Sequence, residues 1–127
     1  ADGSGLSRTN RLTPGLLTDL LALAAGGSRP ELAGIFPGLP VAGWSGTLDD
    51  RFERSGSGSA NTTAGAGTVR AKTGTLTGVH AISGVVTTVE GRLLVFAVLA
   101  NKVPASSWQA QPALDRIVAA LARCGCR

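Results

Sequence analysis

Two runs of strand-forming residues, Val79–Thr88 and Arg92–Asn101, are separated only by a tight turn at Glu90-Gly91. Their β-branched and apolar content, with a Gly-containing turn between them, predicts an antiparallel hairpin. The second run is apolar almost throughout, from Leu93 to Ala100. It is therefore expected to be a central strand covered on both faces. A shorter strand is predicted over Thr68–Lys72.

Helical patterns bracket these strands. Thr13-Pro14 supplies an N-cap and a proline at the first helical position. Leu16, Leu17, Leu20, Leu21 and Ala24 then recur at helical spacing until Gly26-Gly27. Ser28-Arg29-Pro30-Glu31 has the spacing of a capping box and predicts a short helix burying Leu32, Ile35 and Phe36, ended by Pro37. Leu39–Gly46 reads as a loop. Thr47-Leu48-Asp49-Asp50 is expected to begin another short helix, ending near Arg54. Ser55–Gly67 is a Gly/Ser/Ala/Thr-rich surface loop. After Ser106-Ser107, the positions Leu114, Ile117, Val118 and Leu121 mark an amphipathic terminal helix. Helices, then strands, then a helix predict an α+β fold with helices against an antiparallel sheet.

The 127 residues suffice for one small domain, and a hydrophobic content of 43% is not that of a disordered tail. No apolar stretch approaches the roughly 18 residues that span a membrane, and the N-terminus has no signal-peptide pattern. A chain without Met that opens Ala1-Asp2-Gly3 does not look like a natural translation start. It reads as a mature form, an excised domain or a proteolytic product. The net charge of +4 is thinly spread, with no basic block interleaved with aromatics, so no nucleic-acid partner is expected. Cys124 and Cys126 invite either a tail disulfide or a metal site. Metal binding needs more ligands and the lone His80 is distant in sequence, so no metal is expected, while bridging within so tight a Cys-Gly-Cys stays open.

The sharpest chemical feature is Lys72-Thr73-Gly74-Thr75. A phosphate-binding P-loop would need glycines ahead of the lysine where this chain has Ala66 and Ala71. A Ser-His-Asp triad is unsupported, with one His and no Gly-x-Ser-x-Gly elbow. The motif instead sits at the end of a strand, followed by a hairpin and a helix. Three segments occur in order: Asp2-Gly3-Ser4-Gly5-Leu6-Ser7-Arg8, Leu39-Pro40-Val41-Ala42-Gly43 with Gly46-Thr47-Leu48, and Lys72-Thr73-Gly74-Thr75. Together they resemble the D-alanyl-D-alanine carboxypeptidases with endopeptidase activity, the class C low-molecular-mass penicillin-binding proteins, over nearly the whole chain.

The resemblance implies a penicillin-recognising fold of β-lactamase/DD-peptidase type and a serine peptidase of peptidoglycan stem peptides, acylated by β-lactams, exported to the cell envelope and needing no cofactor. It implies catalytic roles for Lys72 and for the backbone N–H of Thr75, the latter as an oxyanion donor. Arg8, Thr73, Gly74, Leu76 and Thr77 would bind substrate, Arg8 by gripping a stem-peptide side-chain carboxylate. The family's nucleophile motif, Ser-x-x-Lys, is missing: Val69 and Leu99 stand three residues before the only lysines, Lys72 and Lys102. Ser59-Ala60-Asn61 mimics another family motif but lies in the wrong place. The chain is thus expected to be a C-terminal segment that needs an N-terminal, nucleophile-bearing partner segment. A β-lactamase and a non-catalytic wall-binding module are the alternatives.

Overall fold

Strand pairing organises the chain around one antiparallel sheet. The computed structural model describes residues 2–52, 62–104 and 109–124. In it, β1 (Val69–Leu76), β2 (Val79–Thr87) and β3 (Leu93–Asn101) form a three-stranded sheet in the order β1-β2-β3. The register sets Lys72 opposite Ser83, Thr75 opposite His80 and Val85 opposite Val95. Two helices complete the α+β architecture, α1 (Pro14–Ala25) and α2 (Ala110–Arg123).

Period-two alternation gives the sheet two apolar faces. On one, Val69 and Ala71, Ile82 and Val86, and Phe96 are buried together with Leu114, Val118, Ala119 and Ala122 of α2. Leu48 and Phe52 join this core, both fully buried. The opposite face carries Val85 and is covered by α1, which buries Leu21 and Ala24. The helices thus sandwich the sheet. α1 begins as its sequence dictates: Thr13 is the N-cap, its Oγ1 accepting from the Leu16 N–H at 3.1 Å, and Gly26 closes the helix.

Arg51 and Asp115 add a buried ion pair. The Arg51 Nε donates to Asp115 Oδ2 at 3.1 Å and its second nitrogen bonds Oδ1, joining the segment before residue 53 to α2. Burial pushes the Asp115 carboxyl above its ordinary value, and the hydrogen bonds and charge of Arg51 pull it only part of the way back.

Several sequence expectations change. The strand expected over Thr68–Lys72 runs on to Leu76, because His80–Ser83 of β2 supply partners for Lys72–Thr75. The motif therefore lies inside a strand. β3 is an edge strand of this sheet, with Phe96 its buried residue and the rest half-buried or exposed. The segment after Ser28 is a 3-10 helix, Pro30–Gly38, with no side-chain cap. Arg29 is its N-cap, Glu31 pairs with Arg29 at 3.3 Å, and Pro37 lies within it. The helix expected from Thr47 is only a 3-10 turn, Gly46–Leu48, and Phe52 soon afterwards takes a left-handed φ of 68° that no helix continues. α2 starts from Gln109 without a side-chain cap. Arg54, Ser59-Ala60-Asn61, Ser106-Ser107 and Cys126 lie outside the described residues, while Cys124 is disulfide-bonded.

Candidate active site

The free edge of β1 is half closed and half open. Ala42 N–H donates to the Val69 carbonyl at 3.0 Å and Ala71 N–H donates to the Pro40 carbonyl at 2.9 Å, with Val41 bridging antiparallel to Arg70. In an antiparallel strand a residue's N–H and C=O point the same way and alternate in side. Val69 and Ala71 point away from β2, so Thr73 and Thr75 do as well. Beyond Ala71 the neighbouring chain stops. The outward groups of Thr73 and Thr75 then meet no backbone partner among the described residues.

The same alternation sorts the side chains. Lys72, Gly74 and Leu76 share one face with Arg70, while Thr73 and Thr75 share the other with the α2-facing core residues. Lys72 and Thr73 are thus on opposite faces, but the lysine curls back to the edge: its Nζ donates to the outward Thr73 carbonyl at 2.7 Å. Thr73 Oγ1 donates to Thr47 Oγ1 at 2.8 Å. Thr75 and Gly74 are exposed, and a Cβ on Gly74 would meet only Ala81 Cβ at 3.6 Å. Leu76 is not on the open edge, since its backbone pairs with Val79, and Thr77 lies in the β1–β2 turn.

Arg8 reaches this region from the other end of the chain. Its Nη1 donates to the Thr77 carbonyl at 3.3 Å. The loop carrying it is built by short polar side chains. Asp2 Oδ1 accepts from Ser4 Oγ at 2.8 Å and from the Ser4 N–H at 3.2 Å, and Asn10 Oδ1 accepts from the Asp2 N–H at 3.2 Å. The Ser4 hydroxyl, then the Ser4 N–H and Asn10, hold the Asp2 carboxyl below its usual value. Asp2 and Ser4 hold the turn. The fold therefore brings Arg8 and residues 72–77 together at one end of β1.

Two residues without an expected role stand beside them. Thr47, from the 3-10 turn after the edge-covering segment, touches Thr73. His80 is directly opposite Thr75 on the same face, and its buried Nδ1 has no hydrogen-bond partner among the described residues. Register could have placed His80 had the strand been extended through the motif, whereas nothing in sequence spacing signals the Thr47 contact. The site is an edge and not a cavity. A groove of about 530 Å³ lies past its closed end, lined by Leu39, Val41, Trp44 and Arg70 among others, and includes none of residues 72–77. Among the described residues no cluster of three or more His, Cys, Asp or Glu could hold a metal ion.

The profile of the D-Ala-D-Ala carboxypeptidase 3 (S13) family matches residues 1–123. This chain belongs to that family. It is similar to carboxypeptidase DacB of Mycolicibacterium smegmatis, 42% identical over 98% of this chain and 26% of that protein. It is also similar to the D-alanyl-D-alanine carboxypeptidase of Actinomadura sp. strain R39, 44% identical over 79% of this chain and 18% of that protein. Among solved structures it matches penicillin binding protein 4 (dacB) from Haemophilus influenzae at a TM-score of 0.79 and 27% identity, covering 98% of this chain and 27% of that one. A second structure of that protein, matching at a TM-score of 0.74, is complexed with a β-lactam. The chain spans about a quarter of the length of DacB, covering 26% of it. No helix among the described residues is long and apolar enough to cross a membrane.

Proposed function

We propose that this chain is the C-terminal segment of a serine-type D-Ala-D-Ala carboxypeptidase/endopeptidase of the cell envelope, and that it contributes the substrate-binding strand of the active site. A separate N-terminal segment contributes the nucleophile. The observation that carries this reading is the open stretch of the β1 edge. Thr73 and Thr75 offer outward N–H and C=O groups two residues apart, the repeat of an added strand. A peptide entering antiparallel to β1 runs from Thr77 towards Ala71. Its C-terminal carboxylate arrives at the Lys72 ammonium and the Thr73 hydroxyl, which supply charge-assisted hydrogen bonds. The carbonyl upstream faces the Thr75 N–H, a preorganised donor for the oxyanion. Gly74, bare on the other face, lets the substrate lie close.

The reaction follows from these positions. The hydroxyl oxygen of the N-terminal segment's serine attacks the D-alanyl carbonyl and its proton passes to the departing amine as the C–N bond breaks. Water then cleaves the acyl-enzyme ester. A β-lactam enters the same way, but its amine stays tethered. Arg8, one N–H on the Thr77 carbonyl and the others available, grips a free side-chain carboxylate of the stem peptide. Leu76 and Thr77 border that subsite.

The test is to incubate the full-length polypeptide, and this chain alone, with a labelled penicillin. A lasting adduct on the former and none on the latter is expected. An adduct on a serine of this chain would defeat the reading, and rapid drug turnover without an adduct would favour the β-lactamase alternative. Failure of both to react would favour a non-catalytic wall-binding module.

A further inference from the structure

We infer that Thr47 is a positioning residue for the substrate carboxylate, acting through the hydroxyl of Thr73. This rests on the carboxylate-binding role proposed above. Thr47 is held where it can do so. The next residue, Leu48, is fully buried in the core, and its carbonyl accepts from the Gly43 N–H at 2.8 Å. Ser45 closes the same loop: its hydroxyl accepts from the Val41 N–H at 3.0 Å and its own N–H donates to the Val41 carbonyl at 3.0 Å. Gly46 adopts φ +58°, and a Cβ there would press on Pro40 Cγ at 3.1 Å. The loop is therefore anchored both to the core and to Pro40–Ala42, which themselves pair with β1. Thr47 emerges from it at the point where the β1 edge opens.

Thr73 Oγ1 donates to Thr47 Oγ1 at 2.8 Å. A hydroxyl has one proton and two lone pairs, and a carboxylate only accepts. When a carboxylate reaches Thr73, the Thr73 proton turns to it, and the vacated contact is kept only if Thr47 donates in return. Two hydroxyl rotations thus reverse the pair into a chain running from Thr47 to Thr73 to the carboxylate. Aligned in this way, each bond polarises the next. Thr47 also fixes the Thr73 rotamer, so the donor is in place before the substrate arrives. A valine keeps the shape of Thr47 and removes the hydroxyl.

The experiment measures acylation of the full-length polypeptide by a penicillin and by its methyl ester, for wild type, Thr47→Val, Thr47→Ser, Thr73→Val and the double valine variant, with a thermal melt of each. Thr47→Val should slow acylation by the free acid by between about twofold and about tenfold, the range of one neutral hydrogen bond. It should leave the ester rate and the melting temperature unchanged. Thr47→Ser should restore the wild-type rate. In the Thr73→Val background, Thr47→Val should have no further effect. Equal losses on acid and ester, or the same loss with Thr73 already replaced, would mean that Thr47 merely supports the loop and would overturn the inference, as would no loss at all. If wild type itself acylates equally fast with acid and ester, the carboxylate reading of Lys72 and Thr73 is what fails.

Discussion

Gly84 sits where β2 presses hardest on β1. A Cβ there would collide with the Arg70 carbonyl oxygen and come within 2.6 Å of Ala71 Cα, backbone atoms that cannot swing aside. Gly84→Ala must push the two strands apart just before the motif. Overpacking of this kind costs about 1–3 kcal/mol. It should appear as a lower denaturation midpoint together with slower acylation of the complete enzyme, whereas a drop in stability alone would mean that the motif is insensitive to strand spacing. Arg8→Ala belongs to the same scale. A charged hydrogen bond is worth about 1.5–3 kcal/mol, so kcat/KM should fall about ten- to a hundredfold on peptides with a free side-chain carboxylate. Peptides with that group amidated should be spared, and an equal fall on both would make Arg8 a support for the Thr77 turn. Asp115 carries a pH signature. Its raised carboxyl pKa means that the folded state holds the proton more tightly than the unfolded chain, whose value lies near 3.8. Its contribution favours the fold below that value and is lost as pH rises through the raised one. Asp115→Asn should flatten the slope of stability against pH just above 3.8, read from urea midpoints, while lowering stability at neutral pH by leaving the buried Arg51 without its charge partner. Lys72 and Arg8 were singled out as candidate site residues by chemistry local to a motif. Thr47 and the Arg51–Asp115 pair were not, since each makes a contact between segments far apart in sequence, and no periodicity encodes such contacts.

Elements were legible where one pattern dominated. The Thr13-Pro14 start and Gly26 stop of α1, and both arms of the hairpin, follow from capping, periodicity and a short turn. The helix expected around residue 30 winds as a 3-10 helix, and that expected from residue 47 shrinks to a single 3-10 turn, because short segments close few hydrogen bonds. β3 misled for another reason. An apolar run reports that a strand is covered, not what lies on its edges. α1 carries a related surplus. While Leu21 and Ala24 face the sheet, Leu16, Leu20 and Leu23 form an exposed stripe one helical turn apart. If the N-terminal segment covers that stripe, Leu16→Glu or Leu20→Glu in the complete enzyme should cost about 1.5–3 kcal/mol in unfolding free energy. Solvent-exposed leucines would tolerate the change to within about 0.5 kcal/mol.

At the scale of the molecule, both edges of the sheet bear on how the chain behaves alone. Among the described residues, β3 presents a long apolar edge, and β1 is open beyond Ala71. Such edges recruit other strands. Expressed by itself, the chain should be insoluble or molten, with no cooperative melt, and dispersed amide NMR signals with a sharp thermal transition would disprove this. The closed half of the β1 edge has a further consequence. Pro40–Ala42 runs antiparallel to β1, the direction any incoming antiparallel peptide must also take, so the loop lies in line with the visitor and directly ahead of its leading end. It is a ruler with a stop. In the binding mode proposed above, a guest chain advances along Thr75 and Thr73, and then its track is occupied. A chain that ends there fits flush, whereas one residue more must bend out of the sheet plane. In that binding mode length would be measured by backbone alone, before any side chain is read.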